Sequence, residues 1–317
     1  MGAVPGPLPD CAFYTVADAG YFPGLVALVN SLRLAGHDEP VFVTDCGLEP
    51  GQRRRLAGHA TLVPYGADLP RKLAKWKVPL ASPAATMVLI DADVIVLRAL
   101  TPLFELAARG KIVAFTDIPP GRFEELWAER TRRPLRRLPY VNSGVLVTRD
   151  ERGLVPALDD LQERVFGADA PEETRRPHPF KGEDQDVLNA VVMSEFPDDL
   201  AALEQRFAPS PPFKGLRAVD RRSLSFRYRD GAEPYVLHHL WAKPWRAATP
   251  PNHYSRLLPR LLLARDVPIR LDPEELPLRL RPGLLPELVR AGLLTPSLAR
   301  RARVKLGLIA RARLSLR

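Results

Sequence analysis

Thr86-Met87-Val88-Leu89-Ile90-Asp91-Ala92-Asp93-Val94-Ile95-Val96-Leu97 is the stretch that decides the fold. Thr86 to Ile90 suits a strand buried on both faces, and Val94 to Leu97 begins a second apolar run at once. Between them stand two acids, Asp91 and Asp93. Carboxylates at that depth are costly unless a cation or a positive partner neutralises them. In open α/β sheets the carboxyl ends of strands are also where ligands bind. The plainer alternative is a solvated turn with aspartate as the turn former. The pattern alone is not specific, since Asp184 and Asp186 repeat it.

Upstream, Ala12 to Ala17 reads as a buried strand, followed by a helix from Tyr21 to Leu34 with Pro23 in its first turn. Leu25, Val26, Leu28, Val29 and Leu32 give that helix its apolar face. Val41 to Thr44 and Thr61 to Val63 are further strands around a short helix, Glu49 to Ala57. Downstream come a helix from Thr101-Pro102, a strand from Ile112 to Thr116 ending at Asp117, a strand over Val141 to Val147, and Tyr235 to Leu237 leading into His238. Short apolar runs alternating with helices predict an α/β fold, a mostly parallel Rossmann-like central sheet flanked by helices. Pro119 to Pro139, rich in Arg and Pro, reads as a mobile insertion, and Gly167 to Lys181 as a polar loop. Residues 1–254 are expected to form the main domain and 255–317 a Leu/Arg/Pro-rich helical appendage.

The chain has 317 residues and a formal charge of +9, but the charge is uneven. Residues 297–317 carry seven basic side chains and no acid, which leaves +2 for the rest. A balanced body with a basic tail argues against a nucleic-acid protein. The tail suits peripheral contact with an anionic membrane, and a basic solvated tail is the competing reading. No run of 18 apolar residues predicts a membrane span, and the first ten residues do not read as a secretory signal. Two cysteines, Cys11 and Cys46, suit a reducing compartment. The expectation is cytoplasmic, peripheral at the inner membrane face if the tail binds there.

Four further segments carry chemistry-bearing residues. His238-His239-Leu240-Trp241-Ala242-Lys243-Pro244-Trp245 offers a histidine for a mixed oxygen and nitrogen site suited to Mn²⁺, and a lysine for phosphate. Asn142-Ser143-Gly144 supplies an amide and a residue without a Cβ, which permits close approach to the backbone. Asp184-Gln185-Asp186 opens a helix, where acids suit the helix dipole. Lys72-Leu73-Ala74-Lys75-Trp76 reads as a basic helical turn. Each has an ordinary structural explanation by itself; order and spacing make the set informative.

Together these residues resemble glycosyltransferase family 8, the GT-A family of bacterial galactosyl- and glucosyltransferases and glycogenin. Thr15-Val16-Ala17-Asp18-Ala19-Gly20-Tyr21, with Pro23-Gly24 and Asn30-Ser31-Leu32, is similar to that family's opening strand and helix. Val88 to Asp93 resembles its metal motif, and Val141 to Val145 its acceptor-side strand. Asp184 to Asn189 and Lys243-Pro244-Trp245 complete five motifs in order over about Ala12 to Trp245. The resemblance implies a metal-dependent, retaining transferase that moves a hexose from UDP-glucose or UDP-galactose to a saccharide, lipid or small-molecule hydroxyl. It implies Mn²⁺ (or Mg²⁺) on Asp91, Asp93 and His238. It implies donor contacts from Val16, Asp18, Tyr21, Lys72, Asp117, Asn142, Ser143 and Gly144. Asp184 and Gln185 would flank the anomeric carbon, and Lys243 would hold the diphosphate. One departure stands out: the family's histidine lies six residues before the lysine with a glycine between, whereas here that position is Leu237 and no glycine intervenes. His238 is preferred because it directly follows Val236-Leu237, with His239 as second choice.

Three rival readings are weaker. A nicotinamide oxidoreductase wants G-x-G-x-x-G after the first strand, where this chain has Asp18 to Pro23. A nucleotidyltransferase wants a glycine-rich basic loop at the same place, also missing. A non-catalytic sugar-nucleotide-binding or scaffold protein is favoured only by the altered loop after His238.

Overall fold

In β4 (Thr86–Ile90) every residue is buried, because the strand has a hydrophobic layer on each face. Val88 and Ile90 join one core, while Met87 and Leu89 join the other. The same alternation divides Phe13 from Tyr14, Val113 from Ala114 and Val147 from Leu146. A period-2 strand between two apolar layers has no polar face, which explains the uninterrupted apolar runs. The structure, a computed structural model, describes residues 9–66, 73–118, 121–167, 179–240, 242–246, 251–277 and 280–281.

β4 lies at the middle of a seven-stranded sheet. The order is β3 (Thr61–Pro64), β2 (Val41–Asp45), β1 (Cys11–Ala17), β4, β7 (Val141–Thr148), β6 (Ile112–Thr116) and β8 (Leu200–Leu203). β1, β2, β3 and β4 run parallel, as do β6 and β8, while β7 runs antiparallel to both its neighbours. The mostly parallel sheet expected from the sequence is therefore present, with one reversed strand inserted. After the two acids the chain enters β5 (Val94–Val96), which leaves the large sheet and pairs antiparallel with β11 (Val236–His238). A small hairpin-like pair, β9 (Arg217–Asp220) and β10 (Ser225–Arg227), stands apart.

On one face α1 (Phe22–Leu34) packs with β5, α4 (Thr101–Ala108) and α8 (His253–Leu263). On the other lie α3 (Lys77–Ala81), α5 (Trp127–Thr131), α6 (Leu154–Phe166) and α7 (Asp184–Glu195). α2 (Pro50–Leu56) links β2 to β3. The segment read as a mobile insertion carries α5, whose Trp127 is fully buried against Tyr140 and Phe180. α6 has no counterpart among the sequence expectations, although Leu154, Val155, Leu158, Leu161 and Val165 mark one buried face. Leu73 lies in a 3-10 turn, Lys75 and Trp76 form a turn, and α3 starts only at Lys77, so the described part of the expected basic helical turn is not α-helical.

The described start of the appendage beyond Tyr254 lies directly on α1. Asn30 Nδ2 donates to the carbonyls of Leu261 and Ile269, and its Oδ1 accepts from Ile269 N–H. The basic tail, residues 297–317, lies outside the described residues. Among the described residues no helix is long and apolar enough to cross a membrane.

Candidate active site

Sheet polarity gathers the site. Asp91 leaves the carboxyl end of β4, and because β7 is reversed, the first residues of β7 lie beside that end. Ile90 pairs with Val145, and Asp91 N–H donates to Gly144 O at 2.9 Å. Asp117, just past β6, donates its N–H to Tyr140 O and so stands on the other side of the β7 entry. β11 brings His238 into register with Val94. α7, at whose start Asp184 and Gln185 lie, packs on β7 from the second core.

Asp91, Asp93 and His238 present one ligand atom each, all within 4.8 Å of one another. His238 Nε2 is 3.2 Å from Asp93 Oδ1 and 3.8 Å from Asp91 Oδ2. Asp93 and His238 are buried, while the Asp91 side chain keeps 36% exposure towards the opening. Asp93 Oδ1 is enclosed by protein and faced by His238 Nε2 as an ion pair, but it receives no well-directed hydrogen bond. Buried oxygens are normally satisfied. Two carboxylates and an imidazole around such an atom form a mixed oxygen and nitrogen donor set that fits Mn²⁺ or Mg²⁺. His239 is placed elsewhere: its Nε2 faces Asn252 Nδ2 at 3.1 Å and its ring packs edge-on against Tyr254.

Gly144 has a specific role here. A Cβ on it would lie 2.2 Å from His238 Cε1 and 2.6 Å from Nδ1. The close approach that its missing side chain permits is that of the protein's own imidazole. Gly24, at the start of α1, does the same for the acid loop, since a Cβ there would meet Ala92 O at 2.4 Å.

Two lysines neutralise the acids. Lys75 Nζ donates to Asp91 Oδ1 at 2.9 Å, Asp184 Oδ2 at 2.6 Å and Ser143 O at 2.8 Å. Lys243 Nζ contacts Asp93 Oδ2 and donates to His239 O at 2.7 Å. Burial works against the charged form of Lys75, but the facing Asp184 and Asp91 hold its ammonium well above its ordinary value. Burial also raises Asp93, and the charges of His238 and Lys243 more than reverse it, so that carboxyl stays far below the usual range. His238 is penalised by burial and raised by Asp93 by a larger margin. At Asp91 burial prevails over Lys75, with Asp93 and Asp184 adding repulsion, and the carboxyl is pushed up. Asp184, despite burial, is lowered by Lys75 and by the Ser143 hydroxyl that donates to it at 2.8 Å.

Beside these acids runs an amide network. Asn142 Nδ2 donates to Gln185 Oε1 at 2.8 Å, and Gln185 Nε2 donates to Asp117 Oδ2 at 2.7 Å. Ser143 N–H points at Gln185 Oε1 at 3.4 Å, and Gly144 N–H donates to Asn142 Oδ1 at 2.8 Å. On the far side of the acids, Val16, Ala17, Asp18, Tyr21 and Cys46 line a cavity of about 240 Å³ with Asp91 to Asp93 as one wall. A larger cavity, about 710 Å³, lies across the Ala19-Gly20 turn, lined by Arg54, Arg55 and Glu275, and does not reach the acids.

Most of the residues singled out in the sequence thus gather around the two acids: Val16, Asp18 and Tyr21 line the cavity with Asp91 and Asp93 at its wall, His238 and Lys243 contact Asp93, and Asp117, Asn142, Ser143, Gly144, Asp184 and Gln185 lie beyond. Lys72 lies outside the described residues, and it is Lys75, from the same motif, that touches Asp91. Arg246 was not foreseen: its guanidinium covers the Tyr21 ring at 4.5 Å, and its Nε donates to Gly20 O at 2.9 Å.

No protein-family model matches the sequence, and no curated protein matches it either. Solved structures do match. One is the galactosyltransferase LgtC in complex with donor and acceptor sugar analogs, at 20% identity and a TM-score of 0.56 over 79% of this chain and 95% of that one. The fold is that of the GT-A glycosyltransferases. The apo structure of WbbM, a bifunctional glycosyltransferase, is similar at 13% identity and a TM-score of 0.55, over 84% of this chain and 51% of that chain. GlyE, a glycosyltransferase of Streptococcus pneumoniae TIGR4, matches at 15% identity and a TM-score of 0.54, over 81% of this chain and 61% of that chain.

Proposed function

We propose that this chain is a metal-dependent glycosyltransferase that moves a hexose from UDP-glucose or UDP-galactose to a hydroxyl acceptor with retention of configuration. The observation that carries the reading is the convergence of one ligand atom each from Asp91, Asp93 and His238 within 4.8 Å, with both acids on the wall of the cavity. The described structural neighbours are glycosyltransferases, one of them holding donor and acceptor sugar analogs, which supports the same class. Asp91, Asp93 and His238 would hold Mn²⁺ or Mg²⁺, whose chemistry is to neutralise the oxygens of a departing diphosphate.

The remaining chemistry belongs to the chain. Val16, Asp18 and Tyr21 would enclose the nucleoside in the cavity. Lys243 would present its ammonium to the diphosphate as negative charge accumulates, and removing such a group costs on the order of 10²–10³ in rate. Asp117, Asn142, Ser143 and Gly144 would receive the donor sugar. The Gln185 amide is fixed at both ends by Asn142 and Asp117, which preorganises it against the sugar ring. Asp184 is held anionic by Lys75 and Ser143, so it is a weak proton acceptor and acts through its charge. A departing phosphate oxygen is then the better acceptor for the incoming hydroxyl's proton. We also assign catalysis to residues 1–254, and to the basic tail beyond them a peripheral contact with anionic lipid.

Hydrolysis of UDP-glucose and UDP-galactose by the purified chain tests the reading. The expected result is turnover that requires Mn²⁺ or Mg²⁺, stops with chelator and is lost in Asp93→Asn. A chain that releases UDP at the same rate with chelator present, or that shows no thermal shift with any nucleotide sugar and Mn²⁺, is not this enzyme.

A further inference from the structure

We infer that Lys243 is a tethered counter-ion of the metal site, so that a divalent cation and a nucleoside diphosphate each open the binding site of the other. The inference rests on the transferase reading of these residues and adds a linkage to it.

The Lys243 ammonium contacts Asp93 Oδ2, the carboxylate whose other oxygen faces His238. Its backbone is anchored independently. Arg246 N–H closes a turn on Lys243 O at 2.9 Å, and the buried Trp245 donates its Nε1–H to Gly20 O at 2.8 Å. The turn can therefore stay in place while the flexible four-carbon stem swings, carrying a point charge. Two positions are open to that charge: the Asp93 carboxylate, and a diphosphate lying against the same wall of the cavity.

Charge balance decides what each position does. Asp91, Asp93 and Asp184 are faced by Lys75 and Lys243, a net charge of −1 before His238 is counted. A dication arriving alone finds Asp93 already compensated by the ammonium on its other oxygen, and must bind against that nearby positive charge or push it aside. A diphosphate draws Lys243 to itself and leaves the Asp93 carboxylate with its full negative charge for a cation beside His238. By thermodynamic reciprocity the cation, in taking Asp93, frees Lys243 for the diphosphate, and couplings of this kind are typically about 5- to 150-fold. Direct contact of metal with phosphate adds cooperativity of its own. The quantity that isolates Lys243 is therefore the affinity of the nucleotide-free protein for the metal.

Mn²⁺ binding to the full chain, followed by the electron paramagnetic resonance of the free ion with and without saturating UDP, supplies the test. In the unaltered chain UDP should tighten Mn²⁺ binding by about tenfold or more. In Lys243→Met and Lys243→Gln, Mn²⁺ alone should bind about tenfold tighter than in the unaltered chain, and the gain from UDP should shrink by the same factor. Lys243→Arg, which keeps the charge, should resemble the unaltered chain. Unchanged or weaker Mn²⁺ binding in both neutral variants overturns the linkage. Absence of Mn²⁺ binding in the unaltered chain even with UDP overturns the metal reading itself, a distinct failure. Should the variants not fold, ¹³Cε-lysine NMR of the unaltered chain asks the same question with diamagnetic Mg²⁺. The Lys243 signal should shift on adding Mg²⁺ without nucleotide, and a signal unmoved at saturating Mg²⁺ overturns the proposal.

Discussion

Replacing Gly144 with alanine adds one methyl group to β7, and the consequence should be read at the metal. The new Cβ would stand 2.2 Å from His238 Cε1, where ordinary van der Waals contact begins at 3.4 Å, so the ring must retreat by about 1.2 Å. Neither side yields easily: Gly144 is hydrogen-bonded through its carbonyl to Asp91 N–H, and His238 sits in the β5–β11 register and is buried. Metal–imidazole bonds are short, on the order of 2 Å as in zinc sites, so a retreat on that scale removes the imidazole from coordination. Displacing a supporting group typically weakens metal binding about 10- to 100-fold. A misplacement of about 1 Å can also cost on the order of 10² in rate. The crowding itself should destabilise the fold by roughly 1–3 kcal/mol.

The assay is Mn²⁺ affinity in the presence of UDP, with turnover of the donor measured in parallel. Gly121→Ala is the control, because a Cβ there meets nothing within 4 Å. A double-mutant cycle gives the sharper discrimination. If Gly144 acts through the imidazole, Gly144→Ala should cost Mn²⁺ affinity in the unaltered chain and almost none in a His238→Ala background. Wild-type Mn²⁺ affinity in Gly144→Ala, or equal losses in both backgrounds, would refute the reasoning.

Lys75→Met leaves Asp91 and Asp184 without their shared cation. The penalty for breaking a buried pair is reduced by the 36% and 29% exposure of the two acids, and a loss of about 1–3 kcal/mol is expected in urea unfolding. Asp45 is a pH reporter away from the metal. Burial raises its carboxyl, but Arg53 and the N–H groups of Leu48 and Gly47 hold it below 3.8. Its stabilisation is therefore complete above pH 3.8 and is lost as pH falls through the lower folded-state value, and Asp45→Asn should remove that part of the acid transition in urea midpoints taken below pH 5. For the basic tail, truncation at Thr295 should abolish co-sedimentation with vesicles containing phosphatidylserine; unchanged sedimentation would remove the membrane assignment.

Much of this was legible in the sequence, and physics explains which part. β4 could be read because a strand with a core on each face has no alternation to confuse, and two acids at its end are conspicuous in so apolar a setting. The choice of His238 over His239 followed from strand position: His238 ends β11 facing the acids, whereas His239, just past the strand, faces Tyr254. Lys75 could not be told from Lys72, since both lie in one short basic segment whose pattern does not say which ammonium turns towards the acids; the turn at Lys75-Trp76 is what sets Lys75 against Asp91. Trp127 was hidden by the arginines and prolines around it, because composition reports the solvated side of such a segment and not the one side chain that anchors it. α6 was missed although its leucines and valines keep helical spacing, since its acidic residues raise its average polarity.

Strand direction is the property that composition and periodicity do not encode, and here it controls the chemistry. Were β7 parallel to β4, the Asn142-Ser143-Gly144 corner would lie at the opposite edge of the sheet, roughly four residues and about 13 Å away at 3.3 Å per residue. His238 would then have no glycine to pass, Lys75 no Ser143 carbonyl to hold it between Asp91 and Asp184, and Gln185 no Asn142 to orient it. One reversed strand thus converts four separately weak sequence signals into a single charge-balanced site. That is why their order along the chain was more informative than any of them alone.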